Sequence, residues 1–472
     1  MARLAWFSPM PPARTGVALD SVEMVGALAG EHEIQVFVDE PIAARYRNRS
    51  SGGRPTPAAA MTAGVLPAPD VRSAHDFVWS HHRHPYDLTV FQLGNSSAHD
   101  FLWPYLFKYP GLAVLHDSHL HHARAAALLR ARRADDYRSE FTANHPGVSP
   151  DLAELAIAGF DSHLYYSWPM TRLVVRGSRL AAVHAPVVAQ WLREQSPGID
   201  VETIRLGHGE LVGPERATMS AARVRARHGV PEGAVLLGVF GGLTPEKRVP
   251  AVLEAFAALL RYQPAARLIL AGAPAGHYDV EADVRRLGLG DTVIISGYIE
   301  SDEAFTDYVS ACDVSINLRW PTAREISGPW LRALSAGRPT VTMDLAHTAG
   351  VPALDPRTWL AVSASPSLAD SPDPVTVGID IMDEQHSLRL ALRRLASDGD
   401  LRQRLGRAAA AYWKREHSQA RMLDDYRRVL ARALDAPVPV IKVPAHLRQD
   451  GLERLHALLE PFGPHVSPWS RT

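Results

Sequence analysis

Short apolar runs rich in valine, isoleucine and leucine recur along this chain, and several are followed by segments with a 3.6-residue apolar period. That alternation is the mark of βαβ units, in which a strand buried on both faces reads as a continuous apolar run and the helix crossing back over it shows its own period. In the first half the runs lie at 4–7, 34–38, 88–91, 113–115, 173–175 and 181–183, and in the second at 235–240, 267–271, 292–295, 314–318 and 340–343. Two such sets predict an α/β chain with two doubly wound parallel sheets. Its 472 residues suffice for two or three domains, each able to bury a core without staples.

Strand periodicity stops from about 207 to 233, where glycine and proline punctuate the chain. The organisation expected is therefore a first Rossmann-like domain over 1–210, a linker at 211–233 and a second Rossmann-like domain over 234–435, closed by helical periodicity at 401–434. An appended arm at 436–472 follows, with a short amphipathic helix at 447–459. The stretches 50–69 and 363–377 read as loops.

The charges nearly cancel, with 50 basic against 51 acidic residues. A nucleic-acid or acidic-membrane interface needs a basic surplus, so neither partner is expected. Cys312 is the single cysteine, which excludes an intrachain disulfide, and its apolar flanks in SACDVSIN predict a buried thiol. No stretch approaches the roughly 18 apolar residues of a membrane helix, and the opening apolar run is too short for a secretory signal. The expectation is a cytoplasmic protein with no integral membrane segment.

Ligands of doubly wound sheets bind beyond the carboxyl ends of the strands, so the residues just after each strand carry the functional reading. Three places stand out. In FSPMPPARTG a strand passes through a proline-rich turn to Gly16 and a helix at about 17–29, where unpaired N–H groups and the helix dipole favour an anion. In VFGGLTPEKR the strand runs into Gly241 and Gly242, then Lys247 and Arg248 directly precede a helix. Two cations at a helix start oppose its dipole by up to about 1 kcal/mol unless an anion sits there as well. Lysine is otherwise scarce here, since only Lys108, Lys414 and Lys442 join Lys247. In the third place Glu325 follows a strand, and Ser327 and Gly328 open the next helix. A glutamate there can accept hydrogen bonds from sugar hydroxyls while helix amides face phosphate. An ordinary tight loop, a structural Gly-Gly turn and an acidic helix cap are the plain alternatives at the three places.

On these residues the run from about 235 to 341 resembles the donor-binding domain of glycosyltransferase family four. FGGLTPEKR is similar to that family's phosphate turn, SGYIE (296–300) to its base-facing turn, and 325–339 to its glutamate loop and helix. FSPMPPARTG and VFQLGNSSAHDF with YPGLAVLHDSHLHH resemble a bacterial subgroup. The resemblance implies GT-B architecture, two Rossmann-like domains facing a central cleft. It also implies a retaining hexosyltransferase that moves a sugar from a nucleoside diphosphate sugar to an acceptor hydroxyl whose identity stays open, as does a homodimer; a UDP-sugar is the favoured donor, and with cationic side chains at the diphosphate the transfer is expected to be metal-independent. It puts Gly16 at the donor diphosphate, Lys247 on its phosphates with Gly241 and Gly242 in the turn, and Tyr298 near the base. Glu325, Ser327, Gly328 and the catalytic His116 are then expected at the donor sugar.

Two positions depart from the family pattern. Its arginine in Gly-Arg-Leu is Gly242 here, which makes Arg248 the expected substitute. Its second glutamate, eight residues after Glu325, is Ala333, with Arg332 just before it. A nucleotide-sugar epimerase of the same fold and a non-catalytic nucleotide-sugar binding subunit remain as alternatives. A rival metal reading rests on His116, Asp117, His119, His121 and His122. Their crowding behind one strand disfavours three converging on an ion, so no metal or other cofactor is expected.

Overall fold

A computed structural model describes residues 1–13, 15–50, 70–160, 164–322, 324–343, 351–362 and 373–448, with 47–50 described by their backbone alone. The first sheet contains β1 (Arg3–Phe7), β2 (Glu33–Val38), β3 (Asp70–Ser73), β4 (Leu88–Leu93), β5 (Leu112–Leu115), β6 (Leu180–Val183) and β7 (Val201–Thr203). They lie in the order β3-β2-β1-β4-β5-β6-β7, and every pair is parallel. Phe7 pairs in register with Phe37 on one side and Phe91 on the other. Their rings stack at 5.2 and 4.9 Å, all fully buried. Each such ring contributes about 1.5–3 kcal/mol by leaving water.

The second sheet holds β8 (Leu236–Phe240), β9 (Arg267–Ala271), β10 (Val293–Ile295), β11 (Val314–Asn317), β12 (Thr340–Met343), β13 (Ala353–Leu354), β14 (Ala361–Val362) and β15 (Thr376–Ile379). Its order is β10-β9-β8-β11-β12-β15-β13-β14, parallel except for the β13–β14 pair. Strand order reverses beside β1 in the first sheet and beside β8 in the second, so the chain has two Rossmann-like topological switch points.

The chain divides into two compact units. One comprises Met1–Arg205 and Leu423–Thr472 with Ala323–Glu325; the other comprises Leu206–Thr322 and Ile326–Met422. The stretch expected to be a linker belongs to the second unit and carries the helix Pro214–Arg227. That helix packs on the helix Asp302–Ala311 through Ser220 Oγ, which donates to Asp307 Oδ1 at 2.6 Å. The helix Gln419–Asp435 ends in the first unit, where Asp425 accepts from Arg205 Nε at 2.8 Å and Tyr426 lies 5.6 Å from the Trp6 ring.

Other departures have local causes. The apolar run at 173–175 lies in the helix Arg172–Gly177 rather than a strand, because three apolar residues cannot distinguish the two periods. β3 and β7 go unpredicted, being short and polar as sheet edges commonly are. The stretch 363–377 runs at its end into β15, where the Thr340 hydroxyl donates to that of Thr376 at 2.9 Å. His81 and His82 lie in the helix Phe77–Arg83, and the His81 ring accepts from Tyr86 N–H at 3.2 Å.

From the arm, Val443 and Leu447 are buried and His446 reaches Glu140 Oε1 at 2.8 Å and Asp136 Oδ1 at 3.1 Å. Residues 51–69 of the expected loop, the stretch 363–372 and nearly all of the helix expected at 447–459 lie outside the described residues. No described helix is long and apolar enough to cross a membrane.

Candidate functional site

In the second unit, β8 ends at Phe240 and the chain turns at Gly241 with φ +88°, a left-handed conformation that favours glycine. The turn is clamped to its neighbours. Gly241 N–H donates to Ala271 O (2.9 Å), Leu243 N–H to Ala273 O (2.8 Å), and Trp320 N–H, from the loop after β11, to Glu246 O (2.7 Å). Gly272 permits the closest approach, since a Cβ there would sit 2.0 Å from Gly241 O.

Over this turn the ammonium of Lys247 donates to Phe240 O at 2.6 Å, and a Cβ at Gly241 would meet its Nζ at 2.6 Å. Gly242 differs: a Cβ there has only Ala273 O within reach, at 4.0 Å. The position where the resemblance expects arginine therefore has room for a side chain.

Arg248 takes φ +58° and caps the helix Val249–Leu259. Its Nε and Nη2 donate to the two carboxylate oxygens of Glu384 at 2.7 and 2.6 Å, and that bidentate bond raises its pKa further. The guanidinium expected to replace the missing phosphate contact is thus engaged by protein.

Ser327 caps the helix Gly328–Ser335, its hydroxyl accepting from Trp330 N–H at 3.3 Å. Against Gly328 lies a residue that sequence reasoning missed, His208, whose Cδ2 would come within 3.1 Å of a Cβ there. His208 is buried, and its carbonyl accepts from Trp413 Nε1 at 2.7 Å. The signal available was Gly207-His208-Gly209. Both glycines are closely approached, Gly207 by Ser418 O at 2.9 Å and Gly209 by Ser335 Oγ. Tyr298 follows β10 and is 47% exposed, as a ring that stacks on a ligand requires.

At the register of the family's second glutamate, Ala333 is fully buried in a core cluster. Arg332 donates to Asp302 at 2.9 Å instead of facing a ligand.

In the first unit, Gly16 is the exposed first residue of the helix Gly16–Leu28, which Thr15 caps by accepting from Ala18 N–H at 3.1 Å. His116 follows β5 in a buried chain of hydrogen bonds. His184 Nδ1 donates to Ile204 O (2.8 Å), and its Nε2 shares a hydrogen bond with His116 Nδ1 (3.0 Å). His116 Nε2 lies 2.8 Å from Gln92 Oε1, which also accepts from Tyr426 OH at 3.3 Å. The chain closes with one of the two imidazoles doubly protonated, or with both neutral and the Gln92 amide turned over. Either way both ring nitrogens of His116 are held by protein. Glu325 groups by contacts with this unit, as does its neighbour Arg324, whose guanidinium stacks 3.8 Å over Trp191.

The histidine cluster disperses. Asp117 accepts from Asn95 N–H (2.6 Å), His119 stacks parallel to Trp191, and His122 packs edge-on against Tyr165 and Tyr166. His121 donates to Trp168 O (2.7 Å) and accepts from Tyr137 OH (2.8 Å), and burial drives its pKa down to about 3. Among the described residues no group of three His, Cys, Asp or Glu is placed to hold a metal ion. Cys312 is fully buried, and burial pushes its thiol up to about 12, far from a nucleophile.

Residues 234–370 match the family described as Glycosyl transferases group 1. A stretch of 201 residues is 31% identical to D-inositol 3-phosphate glycosyltransferase of Kineococcus radiotolerans, covering 37% of this chain and 43% of that protein. A stretch of 128 residues is 27% identical to the alpha-monoglucosyldiacylglycerol synthase of Streptococcus pneumoniae, covering 27% of this chain and 28% of that protein. The chain thus spans less than half the length of these relatives. Among solved structures, Anabaena HepE in complex with UDP and glucose superposes with a TM-score of 0.58 at 14% identity, over 91% of this chain and 100% of that one. Sucrose-phosphate synthase from Thermosynechococcus elongatus does so with a TM-score of 0.59 at 15% identity, again over 91% and 100%. These likenesses are of fold, and the fold is GT-B.

Proposed function

We propose that this chain, whose residues 234–370 belong to the group 1 glycosyltransferases, transfers a sugar from a nucleoside diphosphate sugar to an acceptor hydroxyl with retention at the anomeric carbon. One observation carries the reading: the Lys247 ammonium lies against the left-handed Gly241 turn at the switch point of the second sheet, where Rossmann-like domains take phosphates. UDP is the favoured nucleotide, supported by the UDP in the Anabaena structure.

In this reaction the bond from the anomeric carbon to the diphosphate oxygen breaks and one to the acceptor oxygen forms on the same face. The departing phosphate takes the acceptor proton, and the nucleoside diphosphate leaves. Negative charge grows on the leaving group, and Lys247 with the helix N-terminal amide at Gly328 stabilises it. A preorganised donor of this kind is worth roughly 3–4 kcal/mol. Arg248, held by Glu384, anchors the turn that presents Lys247. Glu325 orients the donor hydroxyls and Tyr298 packs on the base, while His116, both of whose ring nitrogens are held by protein, makes no hydrogen bond to the sugar. A cationic side chain at the diphosphate takes over the charge neutralisation a divalent metal would otherwise supply.

The test is to follow nucleoside diphosphate formation from UDP-glucose across a panel of hydroxyl acceptors. Release that depends on an acceptor is expected. Release without any acceptor, or donor binding with no turnover, contradicts the reading and favours an epimerase or a binding subunit respectively.

A further inference from the structure

At the rim of the second sheet opposite the Gly241 turn, where β8, β11 and β12 begin, an open pocket of about 380 Å³ is lined by Thr218, Arg225, Ser310, Asp313, Arg338 and Arg402 among others. Three guanidinium groups share one carboxylate there. Asp313 is already used, accepting from Arg225 Nη2 at 2.6 Å and from Leu236 N–H at 2.8 Å through the same oxygen. Arg225 spends its other nitrogens on the carbonyls of Ala311 (3.1 Å) and Ala234 (2.8 Å). Arg402 binds Leu395 O through Nη1 at 2.7 Å, leaving Nε and Nη2 without acceptors among the described residues.

Arg338 is the exception that the fold does not resolve. Its side chain makes no hydrogen bond among the described residues, its Nε is buried without an acceptor, and burial lowers the pKa of its guanidinium. Beside it Ser310 Oγ, in a residue only 1% exposed, also lacks a partner among the described residues. A buried polar atom left unsatisfied costs stability, and a charged one costs more. Two such groups meeting in one pocket with a surplus of positive charge match the needs of a tetrahedral oxyanion, whose oxygens accept from planar guanidinium forks and from a hydroxyl. The volume exceeds that of a phosphate alone, since a water takes about 30 Å³ of liquid.

We propose that this pocket binds a phosphate group, free or as a small monoester, between Arg338, Arg402 and Ser310. The site lies on the opposite rim from the donor turn and shares no residue with it. The phosphate bound there is distinct from the substrate phosphates.

Calorimetric titration of the full chain with inorganic phosphate and with glycerol phosphate, at constant ionic strength, tests this. One-site binding is expected in the unsubstituted protein and in Lys247→Ala alike. It should weaken at least about tenfold in Arg338→Met and several-fold in Arg402→Gln. Arg338→Met should be no less stable than the parent in phosphate-free buffer, because it removes a buried unpaired charge. Tighter binding of glycerol phosphate assigns the pocket to a monoester, and equal binding assigns it to phosphate itself. Absence of binding in the parent, or loss in Lys247→Ala with retention in Arg338→Met, overturns the proposal. Should Arg338→Met fail to fold, parental affinity in Arg402→Gln overturns it equally.

Discussion

The ammonium of Lys247 is pinned 2.6 Å from the carbonyl oxygen of Phe240, the last residue of β8. That bond fixes a cation at the carboxyl end of the central strand, over a turn whose backbone is clamped by β9 and by the loop after β11. Replacing Lys247 with alanine is expected to lower turnover about a hundredfold, equivalent to about 2.7 kcal/mol of transition-state stabilisation. Circular dichroism should be unchanged, because the side chain supports no core packing. Near-parental turnover would remove Lys247 from the mechanism.

Gly242 has open space around its missing Cβ, so Gly242→Arg should fold normally. An added guanidinium beside the Lys247 turn supplies a second diphosphate contact and is expected to tighten UDP binding by about tenfold. Weaker binding would show that the turn presents a different face to the phosphates.

The Arg248–Glu384 pair joins positions 136 residues apart and holds a non-glycine residue at φ +58°. Glu384→Ala should destabilise the second unit by about 1–2 kcal/mol in urea unfolding, discounted because Arg248 is a third exposed. An unchanged urea midpoint would mean that the turn holds itself.

Burial lowers His99 to about 4, His121 to about 3 and His145 to about 4, while it raises the half-buried Asp100 to about 6. The unfolded chain protonates these imidazoles near 6.5, and the folded chain does not until far lower pH. Depressed histidine values therefore remove stability as pH falls from about 6.5 towards 4, and Asp100, which gains a proton in the fold near 6, offsets part of the loss. The expected slope is about 3 kcal/mol per pH unit for the first unit. Equal or greater stability at pH 5 than at pH 7 in urea unfolding would contradict it.

Because Lys247 supplies the positive charge at the diphosphate, transfer activity should survive excess chelator. Loss on chelation with recovery on adding a divalent ion would bring a metal into the step.

What the sequence made legible was local. The strand runs ending at Phe7, Leu115, Phe240 and Asn317 stand where expected, because a strand buried on both faces leaves a continuous apolar signature. Gly241 and Lys247 are seven residues or fewer from their strand, and the bond from Lys247 to Phe240 closes within that span. The rest depended on pairs far apart in the chain. Glu384 lies far from Arg248, His208 reaches Gly328 from a glycine-rich stretch without period, and His184 meets His116 across 68 residues. The short edges β3 and β7 left too few apolar residues to register, and Val174 and Val175 fit a helix as well as a strand.

The central claim is that the Lys247 turn holds the diphosphate of a nucleotide-sugar donor. Calorimetric titration of UDP, GDP and ADP into the unsubstituted protein and into Lys247→Ala tests it most directly. Selective binding of one nucleotide, UDP by this account, with that binding lost in Lys247→Ala, is the predicted result. Binding of none of the three, or equal binding by both proteins, would contradict it.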